Sequence, residues 1–551
     1  MSSPSAPASS AGSLAIDIRQ LPWIRTLAAD YAFDFARLAE FYAGDPQREE
    51  AWRDAIARVR SGPPRDPARL ADVLRRQLTA RQAPAEAMDA AAAFGSPTTV
   101  AVVTGQQAGL FGGPLYTLHK AITAIKLASD VSRRHGVRAV PVFWIDAEDH
   151  DWEEVRGCTV LDGDHRAHRI ELDTLDGAGD RSVGRLVLEG QGRSAVDALM
   201  AALPPTEFSA DLAAMLADAY APGRSMAHAF GRVLEHWLGR YGLVVFDASD
   251  PEAKPMVAAL FAKAIQAPGH TSRLAGEAGE ALEAQGYHAQ VSAAEHAAPL
   301  FAINGTRESV RWHDGVAVVG DQELPLADLV ARALAAPEGF SPNVLLRPVA
   351  QDSMFPTICY VGGPAELAYF GQLKGIYEHF GVPMPLFTPR ASATVVDSAT
   401  LRLLGKYDIP FAAFQRQDEL TLNQLLERQL PAGVESSFAE AAAAITSRLE
   451  ALTTAAAVVD STLEGAARNT LGKMQHDLQT LHGKVIHAAK RKDETLRRQF
   501  NRTQTQLFPN GQPQERELGG VWLMNKYGPA TVDRLIDLLP LDHGYHWVLA
   551  I

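Results

Sequence analysis

The sequence predicts an α/β protein: a parallel-sheet core carrying two insertions, followed by a C-terminal α-helical coiled coil. Three observations predict it. Short, wholly apolar runs alternate with helical patterns in the first two thirds of the chain, as in a sheet covered on both faces. Two polar, mixed stretches interrupt that alternation. From about residue 436, apolar residues recur three and four apart with charges on the other faces.

The 551 residues allow about three to five domain-sized units. A hydrophobic share of 47% fills large cores. The net charge of −13 argues against a phosphate-backbone partner, which needs a basic surface, so no nucleic acid is expected. Local arginines can still hold small anions. The two cysteines, Cys158 and Cys359, form no CxxC, so neither a disulfide framework nor a zinc site is evident. No basic region followed by an apolar core opens the chain, and no apolar run of 18 residues is found. Neither a secretory signal nor a membrane span is therefore expected, and the cytoplasm is the default.

In chain order, residues 1–20 read as a disordered N-terminus, and 21–397 as the core. Residues 22–95 read as helices broken near Pro63-Pro64 and Pro84. Thr98–Val103 is a β-rich run. Leu115, Leu118, Ile122, Ile125 and Ala128 then mark one face of a helix that stops before Gly136. Ala139–Ile145 is a second buried strand, completing a right-handed βαβ unit. Tyr241–Asp247 reads as a third, after a helix near 225–240. The insertions fall near 156–225 and 252–340. Pro383–Phe387 returns to the sheet. Leu449, Leu452, Ala456, Val459, Leu463 and Ala466 form an apolar stripe, resumed after a phase slip by Met474, Leu478, Leu481, Val485, Ala488 and Leu496. That places a coiled coil or helical hairpin within 398–506, and a tail at 507–551 that packs on the core or the coil. An exposed stripe predicts a homodimer.

Three motifs carry the candidate chemistry. The first is the turn Thr104-Gly105-Gln106-Gln107-Ala108-Gly109-Leu110-Phe111-Gly112-Gly113-Pro114-Leu115. It joins a strand to a helix whose N-terminus suits an anion. It is neither a P-loop nor a dinucleotide fingerprint. Thr104, Gly105, Gly109, Gly112 and Gly113 are its candidate nucleotide- or anion-binding residues. The second is Trp144-Ile145-Asp146-Ala147-Glu148-Asp149-His150-Asp151, which follows the second strand and sets four carboxylates around one histidine. Both loops leave the carboxyl ends of neighbouring strands. Carboxylates around a histidine suit acid–base work or Mg²⁺; no metal ligand set is assigned. The third combines Arg347, Gln351 and Asp352 with Tyr360, Gly362, Gly363 and Glu366, and Arg390 follows the late strand. A guanidinium forks onto a carboxylate or phosphate. Cys359 reads as a buried, inert thiol.

The stretches TGQQAGLFGGPLYTLHKAITAIKLA (104–128), PVFWIDAEDHDWEEV (141–155) and LLRPVAQDSMFPTICYVGGPAELAYFGQL (345–373) resemble the bacillithiol biosynthesis cysteine-adding enzyme family, its cysteine ligases. The resemblance covers residues from about 20 to 551. It implies a Rossmann-like core with two connecting insertions and a coiled coil used for dimerisation. It also implies the substrates L-cysteine and glucosaminyl-malate, joined by amide formation in the last step of bacillithiol synthesis.

The core is also similar to class I synthetases and nucleotidylyl transferases. Gly113-Pro114-Leu115-Tyr116-Thr117-Leu118-His119 keeps part of their signature, with Tyr116 and Leu118 as departures. Activation of a carboxyl group points to ATP/ADP with Mg²⁺, and whether ATP is consumed stays open. On this reading His119 or His150 assists proton transfer, while Glu148, Asp149 or Asp151 accepts a proton or holds Mg²⁺. Arg347 and Arg390 take the malate carboxylates. Gln106, Gln107, Gln351, Asp352, Tyr360 and Glu366 complete the substrate set, and Gly362 and Gly363 the anion set. The alternatives are a nucleotidylyl transferase and a nucleotide-binding coiled-coil scaffold.

Overall fold

The structure, a computed structural model, describes residues 13–292, 296–313, 316–407, 409–428, 432–492 and 494–551. It forms two compact units. One comprises the described residues up to Val396 together with Pro513–Ile551; the other is Asp397–Gln512.

The strands of the first unit are, in chain order, β1 (Ser13–Asp17), β2 (Val100–Gln107), β3 (Ala139–Asp146), β4 (Gly157–Leu161), β5 (Ala167–Glu171), β6 (Val244–Asp247), β7 (Ala297–Asn304) and β8 (Thr306–His313). They continue with β9 (Val316–Val319), β10 (Gln322–Pro325), β11 (Phe340–Pro342), β12 (Thr357–Gly362), β13 (Leu386–Pro389), β14 (Ser392–Val396) and β15 (Tyr545–Ala550). The central sheet has the order β13-β12-β2-β3-β6, and every pairing in it is parallel. The predicted βαβ unit is β2, the helix Leu115–His135 and β3. That helix ends where Gly136 enters the left-handed region at φ 63°, which glycine adopts without a Cβ penalty. β2 and β3 are apolar because both faces are covered: Val100, Val102 and Ile358 pack with the helix, and Ala101, Val103 and Val142 pack on the other side.

The amino-terminal helices Thr26–Phe33, Glu49–Ser61, Pro67–Ala80 and Ala85–Ala92 break at the predicted prolines. The first insertion is the β4–β5 hairpin followed by the helices Gln191–Ala202 and Ser209–Ala219. The second carries the helices Ala258–Gln266 and His270–Ala284, then an antiparallel sheet of order β10-β9-β8-β7-β11.

Two expectations change. Residues 13–20 are ordered: β1 runs antiparallel to β15, and Ile18–Gln20 form a turn of 3₁₀ helix. Residues 1–12 lie outside the described residues. The tail is not a simple cover either. β15 runs parallel to β14 and sits between β14 and β1, so Pro513–Ile551 complete the core unit.

In the second unit the helices Ala432–Val459 and Leu463–Lys492 form a hairpin. Asp460 turns it, accepting the Thr462 N–H at 2.8 Å. Gln475 donates to Thr446 at 3.2 Å, and the His482 ring lies 4.8 Å from that of Phe438. The chain reversal splits the predicted stripe. Leu449, Ala456, Leu478 and Val485 are half-buried, while Leu452, Val459, Leu463, Met474 and Leu481 are exposed. Among the described residues, Gly433–Val459 is the one helix whose length and mean hydropathy of 1.2 would allow a bilayer crossing. Much of that apolarity is alanine.

Candidate active site

Four neighbouring parallel strands, β13, β12, β2 and β3, end together. They deliver Arg390, Gly363, Gln106 and Asp146 to the carboxyl edge of the sheet, where open α/β sheets bind ligands. A cavity of about 670 Å³ opens there. Of the predicted residues, Gly105, Gln106, Gln107, Asp149, His150, Arg347, Tyr360, Gly363, Glu366 and Arg390 line it.

Its polar groups form an ordered set. Lys120 is buried and donates to the Gly105 carbonyl at 2.8 Å, to Gln106 Oε1 at 2.9 Å and to Glu366 at 2.5 Å. It thereby ties the first glycine turn to the second. Burial lowers the affinity of this ammonium for its proton, against the pull of Glu366. Glu366 also accepts the Gly363 N–H and the Tyr360 hydroxyl, each at 2.7 Å. Burial opposes its ionisation, but Lys120 and the Gly363 N–H outweigh it and hold the carboxyl below its ordinary value.

Arg347 donates to Gln351 at 3.2 Å and to the Tyr369 hydroxyl at 2.9 Å, with Asp146 at 3.7 Å. Burial raises the Asp146 carboxyl despite that guanidinium. Asp149 accepts from Gln107 at 2.8 Å and from Arg307 at 3.1 Å. His150 Nδ1 lies 3.4 Å from Asp149. Arg307 comes from β8 of the second insertion. It is braced by the Ser341 hydroxyl and the Pro342 carbonyl and lies 4.0 Å over the Phe301 ring.

Arg390 lines the cavity but is not a free anion ligand. Its two terminal nitrogens both donate to Glu515 at 2.8 Å, a fork-on-fork pair. Glu515 also accepts from Ser392 at 3.0 Å and from the Ala393 N–H at 3.1 Å, with His119 Nδ1 at 3.3 Å. Burial disfavours its charge, yet Arg390 and His119 together hold the carboxyl well below its usual range.

Other predicted residues do not reach the cavity. His119 is fully buried behind it on Glu515, and burial pushes its imidazole down. Glu148 is buried against Lys254, and burial, opposed by that lysine, raises its carboxyl. Asp151 caps the helix Trp152–Val155 by accepting the Glu154 N–H at 3.1 Å. The acidic run therefore sends its three carboxylates to three different partners. Gln351 is buried beneath Arg347. Asp352 is buried on the Tyr377 hydroxyl at 2.5 Å, and burial raises its carboxyl to about 6. Thr104 donates to the Val361 carbonyl at 2.7 Å, across β2 and β12. Gly362 allows close packing, since a Cβ there would meet the Phe387 ring at 2.6 Å.

The first glycine turn is packed rather than open. Gly112 (φ 90°) and Gly113 (φ 71°) make a tight turn against Trp237 and Thr117. The helix behind it is already occupied at its start: the Leu115 N–H donates to the Leu518 carbonyl at 2.7 Å, and that of Thr117 to the Pro114 carbonyl at 2.8 Å. Gly109 lines a second cavity of about 200 Å³ instead. The two cavities share Gln106, Gln107, Tyr116, Glu154 and Arg516. Cys359 is buried, with its thiol pushed up to about 12 by burial, as an inert thiol requires.

Lys120, Tyr116, Arg307 and Arg516 were missed. Tyr116 and Lys120 stand four apart just after the glycine turn, a helical spacing that puts both on one face. Arg307 and Arg516 have no such local signal.

The chain matches the family model "Bacillithiol biosynthesis BshC, N-terminal Rossmann-like domain" over residues 14–391. It matches "Bacillithiol biosynthesis BshC, C-terminal coiled-coil domain" over 393–551; the latter stretch includes Pro513–Ile551, which fold with the core unit. Three similar proteins each bear the name "Putative cysteine ligase BshC". That of Salinibacter ruber is 35% identical, covering 95% of this chain and 96% of its own. That of Symbiobacterium thermophilum is 34% identical over 94% and 96%. That of Geobacillus thermodenitrificans is 29% identical over 97% and 100%.

Proposed function

Because the chain belongs to the bacillithiol biosynthesis BshC family, we propose that it is the ligase that joins the carboxyl group of L-cysteine to the amine of glucosaminyl-malate. The observation that carries this reading is the cavity at the sheet's carboxyl edge. Five basic side chains (Lys120, Arg307, Arg347, Arg390, Arg516) and four acidic ones (Asp146, Asp149, Glu154, Glu366) line it. A substrate bearing two carboxylates, an amine and sugar hydroxyls needs both signs of charge. The volume falls in the ordinary range of small-molecule sites, about 300–1,000 Å³.

Arg347 keeps donors to spare and takes a malate carboxylate. Arg390, committed to Glu515, shapes the floor. Asp146, an acid kept partly basic by burial, stands beside Arg347 and accepts the proton of the attacking ammonium. Asp149 orients His150 and Arg307 around it. The amine nitrogen attacks the cysteine carboxyl carbon; a C–N bond forms, and the C–O bond breaks with the oxygen leaving on the phosphoryl or adenylyl group that ATP would supply. ATP with Mg²⁺ would supply the carboxyl activation. Mg²⁺ would neutralise charge on the phosphates; among the described residues no group of three His, Cys, Asp or Glu side chains is placed to hold a metal ion. Catalysis takes place in the cytoplasm, a setting that fits two free thiols.

We also assign a homodimer to the hairpin. Its exposed Leu452, Val459, Leu463, Met474 and Leu481 would bury their apolar area against a second copy.

The test is direct. Protein, ATP, Mg²⁺, cysteine and glucosaminyl-malate are incubated, and mass spectrometry looks for a thiol heavier than glucosaminyl-malate by one cysteine residue. Arg347→Ala should weaken glucosaminyl-malate binding by about tenfold or more in calorimetry. Absence of the thiol with ATP turned over would instead favour a nucleotidylyl transferase.

A further inference from the structure

The smaller cavity has a composition the main site does not explain. At about 200 Å³ it has room for roughly seven waters at about 30 Å³ each, which fits a small amino acid and not a nucleotide. Its own charged groups are Glu517 and Arg169, the latter paired with Glu171 at 2.8 Å. Arg516 stands at the junction with the main cavity, and among the described residues no ion pair engages it.

Two glycines shape the inner wall. A Cβ on Gly519 would lie 2.3 Å from Cys158 Sγ, and one on Gly157 would lie 2.4 Å from the Arg169 guanidinium. At Gly519 only glycine leaves the buried Cys158 thiol in place, whereas at Gly157 the neighbour is the tip of a flexible arginine. The wall between them is the Cys158 thiol, which burial keeps neutral by raising it to about 12. The Thr159 hydroxyl donates to Glu517 at 3.1 Å, and both residues line the recess.

We propose that this annex is the L-cysteine pocket of the ligase. The amino acid's ammonium meets Glu517, and its carboxylate meets Arg516. Its thiol lies against the wall of Gly157, Cys158 and Gly519. This orientation turns the carboxyl carbon toward the main cavity, where the amine of the second substrate arrives. The proposal rests on the ligase reading, but it concerns where one substrate sits.

The experiment titrates L-cysteine, with reductant, into the full chain and into Glu517→Gln, with and without glucosaminyl-malate, and follows heat. Product formation by the unsubstituted enzyme is measured separately by mass spectrometry. Glu517→Gln should weaken cysteine binding about tenfold or more and leave glucosaminyl-malate affinity within about twofold. Arg516→Gln, a change on an exposed side chain, should leave the melting temperature in place and weaken cysteine binding more than glucosaminyl-malate binding. Unchanged cysteine affinity in both variants, or equal losses for both substrates, overturns the annex. If thiol product forms in that case, the ligase reading stands without it. Cysteine binding that depends on Glu517 without any product keeps the annex and removes the ligase. No cysteine binding by the unsubstituted enzyme under either condition overturns the annex outright.

Discussion

Glu515→Gln should be among the most damaging single substitutions in the core unit. Glu515 and Arg390 are each about 5% exposed, and the carboxylate takes two bonds from Arg390, one from Ser392 and one from the Ala393 N–H. A glutamine keeps the shape but replaces one acceptor oxygen with a donor. Whichever way the amide turns, its NH₂ faces an N–H of Arg390, and the guanidinium stays buried without a counter-charge. Removing one partner of a buried pair costs about 3–5 kcal/mol. Guanidinium unfolding followed by tryptophan fluorescence reads this cost, since Trp522 and Trp547 belong to the same unit. The pH dependence has a definite sign. The folded carboxyl is held well below its ordinary value of 4.5. Its contribution is therefore present above pH 4.5 and lost as pH falls through the folded value. The gap between parent and variant should be constant from pH 7 to about 5 and close below pH 4.5. A double change, Glu515→Leu with Arg390→Met, should recover part of the loss: it removes the unpaired charge but leaves the Ala393 N–H and the Ser392 hydroxyl without this acceptor. A single-variant cost under about 1 kcal/mol, or a gap that widens on acidification, would refute the argument.

Three further outcomes are expected. Lys120→Met leaves Glu366 buried with only the Tyr360 hydroxyl and the Gly363 N–H, and the two glycine turns lose their tie; kcat/KM should fall about a hundredfold, measured by steady-state kinetics. His119→Ala should destabilise by about 1–3 kcal/mol through a lost bond to Glu515 and a small cavity, while kcat of the folded protein stays within about threefold. A turnover loss like that of Lys120→Met would return His119 to the chemistry. Leu452→Glu with Leu481→Glu should convert a dimer to a monomer in light scattering without altering the melting of the core; a parent protein that is already monomeric removes the assignment.

Much of the core was legible because its signals are local. A strand buried on both faces must be apolar throughout, and β2 and β3 are. The helix Leu115–His135 announces itself by its spacing and by the glycine that ends it. The place of the cavity was legible for the same reason: glycine turns and acidic runs mark the strand ends where it opens. What each side chain does there was not. Glu148, Asp149 and Asp151 look alike in sequence, but their partners differ. Lys254 lies 106 residues from Glu148, and Arg307 lies 158 from Asp149, while Asp151 binds its own helix. The commitment of Arg390 was equally hidden, since Glu515 is 125 residues away. A heptad stripe allows a hairpin but does not reveal where the chain turns back on itself: the reversal falls at Asp460, inside the first half of the stripe.

The position of β15 between β14 and β1 has a consequence for synthesis on the ribosome. The sequence of the helical hairpin is translated between β14 and the segment that holds Glu515, Arg516 and β15. Until that segment emerges, β1 and β14 are unsatisfied edges, Arg390 has no counter-ion and the annex lacks a wall. The nascent core must therefore wait, partly open, while more than a hundred residues of another unit pass through the exit tunnel. Closing it then requires a contact of very long sequence separation, the slow kind. Such an order favours chaperone engagement at that stage, and it ensures that a chain cut short before residue 513 never acquires a finished site.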